Sequence, residues 1–174
     1  MVKSIFDMPM IPKEVAFKLF CDLSLREKWD KNMANYQILE QNDEMEELIF
    51  HYTIPMPKIT KSRDVLLKRI IRRNYPANGS LAIHSKSYDH YKVPVDEKKS
   101  YRVDCKINGM IIEDVESKGR ITGTKISWVF QNDVKGNFPK VFINERSVKV
   151  PKEIAHNWIK ESMKFMKEKG IAPL

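Results

Sequence analysis

The segment from residue 151 to 169 constrains the fold more than any other. Pro151 opens it at a position where a missing N–H costs nothing, and Gly170 closes it. Between them Ile154, Ala155, Trp158, Ile159, Ser162, Met163 and Met166 recur at helical spacing, with lysines opposite. A long helix with one apolar stripe needs a broad apolar surface to lie on. The chain upstream supplies it. Leu48, Phe50, Tyr52 and Ile54 alternate, as do Tyr101, Val103, Cys105 and Ile107. Two further strands are expected over 65–74 and 80–87, joined at Pro76-Ala77-Asn78-Gly79, and a last one over 120–130 after the Lys118-Gly119 turn. Asn42-Asp43 turns the chain out of a strand that begins near Tyr36, and Gly109 marks a bulge or bend.

Two short helices precede the strands. Pro12 starts the first, in which Val15, Ala16, Leu19 and Phe20 share a face. Ser24 and Glu27 form a capping box for the second, which carries Arg26, Trp29 and Asp30. The expected order is helix, helix, six antiparallel strands, long helix: an α+β fold in which a curved sheet buries one face under its closing helix. With 174 residues, 42% of them hydrophobic, the chain fits one domain spanning 1–174.

Several function classes fall away at this level. No apolar run approaches the roughly 20 residues that span a bilayer. Residues 1–10 do not read as a signal peptide, and Cys21 and Cys105 are too isolated for a disulfide framework, so a cytoplasmic address is expected. His51, His84, His90 and His156 show no metal-ligand spacing, and no nucleotide or hydrolase motif is present, so neither cofactor nor catalytic residue is expected. The 31 basic against 23 acidic residues, net +8, favour an anionic partner without choosing it. Nucleic acid is disfavoured, because the basic residues between Lys68 and Arg73 lack an aromatic stacking platform beyond Tyr75.

Four motifs in register resemble the START (StAR-related lipid transfer) family. PKEVAFKLF at 12–20 followed by REKWD at 26–30 is similar to its early helix pair. Pro55-Met56-Pro57 leading to Ser62-Arg63-Asp64-Val65 is similar to its loop and strand entry, and NDVKGNFP at 132–139 to its approach to the last helix. The resemblance implies a helix-grip fold: an incomplete antiparallel barrel holding one lipid under the C-terminal helix. Relative to the family, the helix and strand that ordinarily precede the point matching Val2 are missing, which would expose a sheet edge and allow either a monomer or a dimer through that edge.

The resemblance also assigns roles. Arg26 and Asp30 lie four apart, which by spacing alone is an ordinary ion pair. In phosphatidylcholine-carrying members the matching arginine holds the lipid phosphate and the aspartate orients it. The aromatic cage for choline falls on Phe50, Val65 and Lys106, so choline selectivity is not expected to survive. Asn108 falls where such members have a polar amide near the headgroup. Arg69 aligns with a tunnel arginine of sterol-binding members, and Arg63-Asp64 is mostly structural in the family. The loop with Met56, Lys58, Ile59 and Lys61, together with Lys164 and Lys167 on the last helix, suits contact with an anionic membrane. The expected function is phospholipid binding and transfer, with sterol binding, or a cyclase acting on an apolar substrate in the same cavity, as the alternatives.

Overall fold

The computed structural model describes residues 1–42, 44, 46–56, 60–137 and 140–174, the side chains of 140–143 apart. The chain runs β1 (Val2–Pro9), α1 (Lys13–Cys21), α2 (Leu23–Trp29), β2 (Ala34–Gln41), β3 (Glu47–Ile54), β4 (Ser62–Arg73), β5 (Leu81–Ser87), β6 (Ser100–Arg102), β7 (Asp104–Ser117), β8 (Arg120–Asp133) and α3 (Lys140–Lys169). The sheet order is β1-β8-β7-β5-β4-β3-β2, antiparallel throughout, with the short β6 added in parallel to the start of β4. A curved antiparallel sheet holding a long C-terminal helix is the helix-grip architecture expected.

Each helix is set by local chemistry, with two departures from expectation. Asp22, not Ser24, caps α2: its Oδ1 accepts the backbone N–H of Ser24 at 3.0 Å and of Leu25 at 3.3 Å. A carboxylate at the N-cap satisfies two orphan donors and complements the helix dipole, so the helix starts two residues earlier than the serine would set it. Glu27 instead accepts from the backbone of Asn35 at 2.8 Å. The long helix begins at Lys140, so Pro151 sits inside it rather than at its start. A proline removes one helical donor and crowds the carbonyl four residues back, yet Pro151 is buried and Val150 packs on the core. The other end is as expected. Gly170 adopts φ +64°, and Ile171 N–H reaches the Met166 carbonyl at 2.9 Å, which ends the helix in a left-handed cap.

Residues 2–9, given no element from sequence, form β1 and pair with β8 along their whole length, from Val2 opposite Phe130 to Pro9 opposite Gly123. The edge of β8 is therefore covered. Gly123 allows this close approach, since a Cβ there would stand 2.7 Å from the Met8 carbonyl oxygen. Gly109 pairs regularly with His84 and Val129, and the bulges fall instead between Cys105 and Ile107 and between Val115 and Glu116.

The core sits between the concave face and α3. Trp158 is fully buried, stacks on Phe20 (4.9 Å) and Trp29 (5.7 Å), meets Phe6 edge-on, and donates Nε1–H to the Ala16 carbonyl at 3.1 Å. One indole thus joins β1, α1, α2 and α3, and its burial alone is worth about 2–3 kcal/mol. Ile154 and Met166 continue the stripe, whereas Met163, expected to face inward, is 45% exposed. A second apolar cluster, Leu23, Met33, Leu48, Phe50, Val65, Leu67, Val103 and Cys105, lines the other half of the concave face, and no described α3 side chain belongs to it.

Candidate functional site

Between the two clusters the concave face turns polar. Register places Arg69 of β4 beside Ser85 of β5, and Ser85 beside Asn108 of β7, in one row. Arg69 is 4% exposed, and its Nε and Nη1 are buried without a hydrogen-bond partner. Its guanidinium lies 5.5 Å from the Phe50 ring centroid. Burial pulls the Arg69 guanidinium below the usual arginine range; the Cys21 thiol opposes the shift and the nearby Arg26 charge adds to it. Burying a cation whose donors have no protein partner is costly. The orphan donors of Arg69 call for an anion or a strong acceptor from elsewhere.

Arg26 approaches from α2. Its Nε and Nη2 meet Asp30 Oδ2 at 3.0 and 2.9 Å, and its guanidinium packs 4.1 Å over the Phe20 ring. Asp30 is 2% exposed and also accepts from the Asn32 backbone at 3.1 Å. The expected pair thus forms with Asp30 buried and Arg26 partly so, unlike a surface i,i+4 pair. Tyr52 closes the group. It stacks on Phe50 (5.9 Å, 13° between planes), and burial pushes its hydroxyl up to about 12, with Arg26 and Asp30 both near enough to act on it. Burial likewise pushes the Cys21 and Cys105 thiols up to about 11, which keeps them protonated. From α3, Ser162 turns a fully buried, partnerless Oγ inward.

The sequence-assigned residues divide accordingly. Arg26, Asp30, Phe50 and Arg69 come together. Asn108 lies in the Arg69 row, with its Oδ1 accepting from Trp128 Nε1 at 2.8 Å. Phe50 and Val65 are buried on the inner face, but Lys106 is exposed at the bulge between Cys105 and Ile107 and takes no part. Tyr52 was missed as a site residue, although its place in the Phe50 alternation could have found it. Arg63 and Asp64 are structural. Arg63 donates to the carbonyls of Val134 (2.9 Å), Lys135 (3.0 Å) and Lys61 and to Thr60 Oγ1 (3.1 Å), which ties the loop before β4 to the loop before α3. Asp64 takes hydrogen bonds from Arg102 and His51, joining β3, β4 and β6. His51 and His90 both face carboxylates, His51 meeting Asp64, and His90 meeting Glu40 at 2.9 Å.

Of the loop residues, Lys58 and Ile59 lie outside the described residues; Met56 is half-buried. Lys61 is exposed but held, its Nζ donating to the Glu97 carbonyl at 2.6 Å and lying 5.1 Å from the Tyr101 ring centroid. Lys164 is exposed beside Glu161 and Glu168 at 3.4 and 3.9 Å, and Lys167 is exposed in the last turn. Two surface concavities, of about 700 and 500 Å³, lie on the outer face of the sheet and between α1 and the end of α3. Neither lies between the concave face and α3, where Arg69 Nε and Nη1 and Ser162 Oγ are buried without a hydrogen-bond partner. Among the described residues no helix is long and apolar enough to cross a membrane.

The START domain family model matches residues 1–170. The chain belongs to the START domain family. START domain-containing protein 10 of mouse and of human each share 27% identity with it over 138 residues, which is 79% of this chain and 44% of theirs. The chain therefore spans less than half the length of those relatives. Among solved structures, human STARD10 superposes with a TM-score of 0.82 at 22% identity, covering 97% of this chain and 65% of that one. Human StAR-related lipid transfer protein 5 gives 0.80 at 18% identity over 94% and 75%. The Zhui aromatase/cyclase of a Streptomyces species gives 0.58 at 9% over 97% and 93%. These three share the fold.

Proposed function

We propose that this START domain binds one phospholipid beneath α3, with the phosphate on Arg69 and Arg26 and the acyl chains on the apolar concave face, and carries it between membranes. The observation that supports this reading above the others is the buried Arg69 guanidinium with two unmet donors. A guanidinium fork suits a phosphate, and Asp30 keeps Arg26 aimed while lowering the net positive charge of the pair of arginines. Phe50 and Tyr52 offer aromatic faces next to that position, so a cationic headgroup is acceptable there. Two long acyl chains are worth on the order of 20 kcal/mol of burial at about 0.8 kcal/mol per CH₂, which is why a carrier must enclose them. Loading requires the helix or the loop before β4 to move, and Lys164, Lys167, Met56 and Lys61 would meet an anionic bilayer at that moment.

A second reading rests on Ser162. Its buried, partnerless hydroxyl would suit one neutral hydroxyl, as a sterol carries. Transfer between vesicles separates the two. With Arg69→Leu, phospholipid transfer should fall at least about tenfold, the loss of one charge-assisted contact in a dry site, while sterol transfer changes little. Equal loss of both, or phospholipid transfer at the wild-type rate, would reject the phosphate role.

A further inference from the structure

Two features of β7 and β8 set how Asn108 meets what lies beneath α3. The first is parity. Cys105 belongs to the concave apolar cluster, and an unbroken strand would turn Ile107 and Gly109 to that same face. The bulge between Cys105 and Ile107 adds one residue and leaves Lys106 and Ile107 exposed. Asn108 is thereby brought onto the concave face, opposite Ser85 in the Arg69 row. The second is polarity. Trp128 is 6% exposed and packs on Phe130 with ring centroids 4.6 Å apart, so its indole is held in place. An indole N–H can only donate, and Trp128 Nε1 meets Asn108 at 2.8 Å, so the amide turns Oδ1 to the indole and its two N–H donors away from it. Those donors make no hydrogen bond among the described residues. The row therefore runs from the unmet Nε and Nη1 of Arg69, past the Ser85 hydroxyl, to the amide N–H pair of Asn108, and it holds no carboxylate.

We propose that Asn108, with its amide held by Trp128, selects ester-linked phospholipids by donating to a carbonyl oxygen of the glycerol esters. The inference rests on the phosphate lying at Arg69 and Arg26. Phe50 and Tyr52 flank that position from β3, on one side of β4, and their aromatic faces suit the headgroup end. Asn108 stands on the other side, two interstrand spacings or about 9–10 Å from Arg69 along the row. The part of a phospholipid beyond its phosphate, away from the headgroup, is the glycerol with its ester carbonyls. A carbonyl oxygen is an acceptor only, and an amide N–H pair is its natural complement. An ammonium finds no acceptor at this end of the row, and an ether-linked chain has no carbonyl to offer. Trp128 is a positioning residue, acting through Asn108. Without its N–H the amide can turn either edge to the cargo.

The test incubates the whole chain with vesicles holding equal amounts of two phosphatidylcholines of the same chain length, one ester-linked and one ether-linked at both positions. Native mass spectrometry then reads the ratio of the two bound species. Phosphate and headgroup are common to both lipids, so the ratio isolates the carbonyl contact. The unaltered chain should carry the ester lipid about fivefold over the ether lipid, as expected for one neutral hydrogen bond. Asn108→Leu should bring the ratio to about one, and Trp128→Phe, which keeps a ring against Phe130, should lower it at least about twofold. Arg69→Leu should reduce both bound species alike and leave their ratio in place. A ratio near one in the unaltered chain, or one that Asn108→Leu leaves unchanged, overturns the carbonyl contact while the phosphate reading stands. A ratio that Trp128→Phe leaves unchanged overturns the positioning role of the indole. Neither lipid bound by the unaltered chain defeats the phosphate reading and this inference together.

Discussion

The proposed phosphate role of Arg69 sets function against stability at a single position. Holding a guanidinium 4% exposed with two unmet donors costs the empty protein free energy. Arg69→Leu should therefore raise the stability of the lipid-free protein by about 1–3 kcal/mol in urea titration, even as phospholipid transfer falls. A substitution that destabilises the empty chain would mean that Arg69 is a structural strut and not a waiting ligand. The arginine itself was legible in the sequence through the family match, as were Arg26, Asp30 and Phe50. Its isolation was not, because a missing partner is a fact of three dimensions. The bulge between Cys105 and Ile107 shows the same limit: it exposes Lys106, which the resemblance places in the choline cage.

At the scale of elements, buried charge holds the mouth of the grip together. Burial alone would raise the Asp64 carboxyl, but hydrogen bonds from His51 and Arg102 outweigh it and hold it below the usual aspartate range. A carboxylate held low contributes stability that is complete above its unfolded value near 3.9 and is lost as the pH falls through the lower folded value. Asp64→Asn should thus cost about 1.5–3 kcal/mol at neutral pH, and progressively less as the pH falls below about 4 and through the lower folded value, where Asp64 takes up its proton. A cost independent of pH would contradict the ionic role of Asp64 in joining β3, β4 and β6. The elements themselves were largely readable, since the helix pair and the alternating strands follow local pattern. β1 escaped because the exposed Ile5 blurs an otherwise regular alternation of Val2, Ser4, Phe6 and Met8. The start of α3 escaped because Pro151 is a strong local stop signal that helical residues on both sides override.

For the whole molecule, the sheet has two faces with two different chemistries. The concave face has apolar clusters and a buried polar row, and α3 spans it with Trp158 as the common anchor of four elements. The convex face has a shallow groove lined by apolar side chains, Lys3 and Arg72. The fold class was legible because period and order leave few ways to bury so much apolar surface. The choice of cargo was not, because it depends on where three or four polar atoms converge. The account rests on a lipid occupying the space beneath α3, and native mass spectrometry of the protein incubated with phospholipid vesicles tests this most directly. It should show the 20.5 kDa chain carrying one phospholipid, removed by organic extraction and at least about tenfold less abundant on Arg69→Leu. A spectrum showing the bare chain alone, or a phospholipid retained equally by Arg69→Leu, would contradict it.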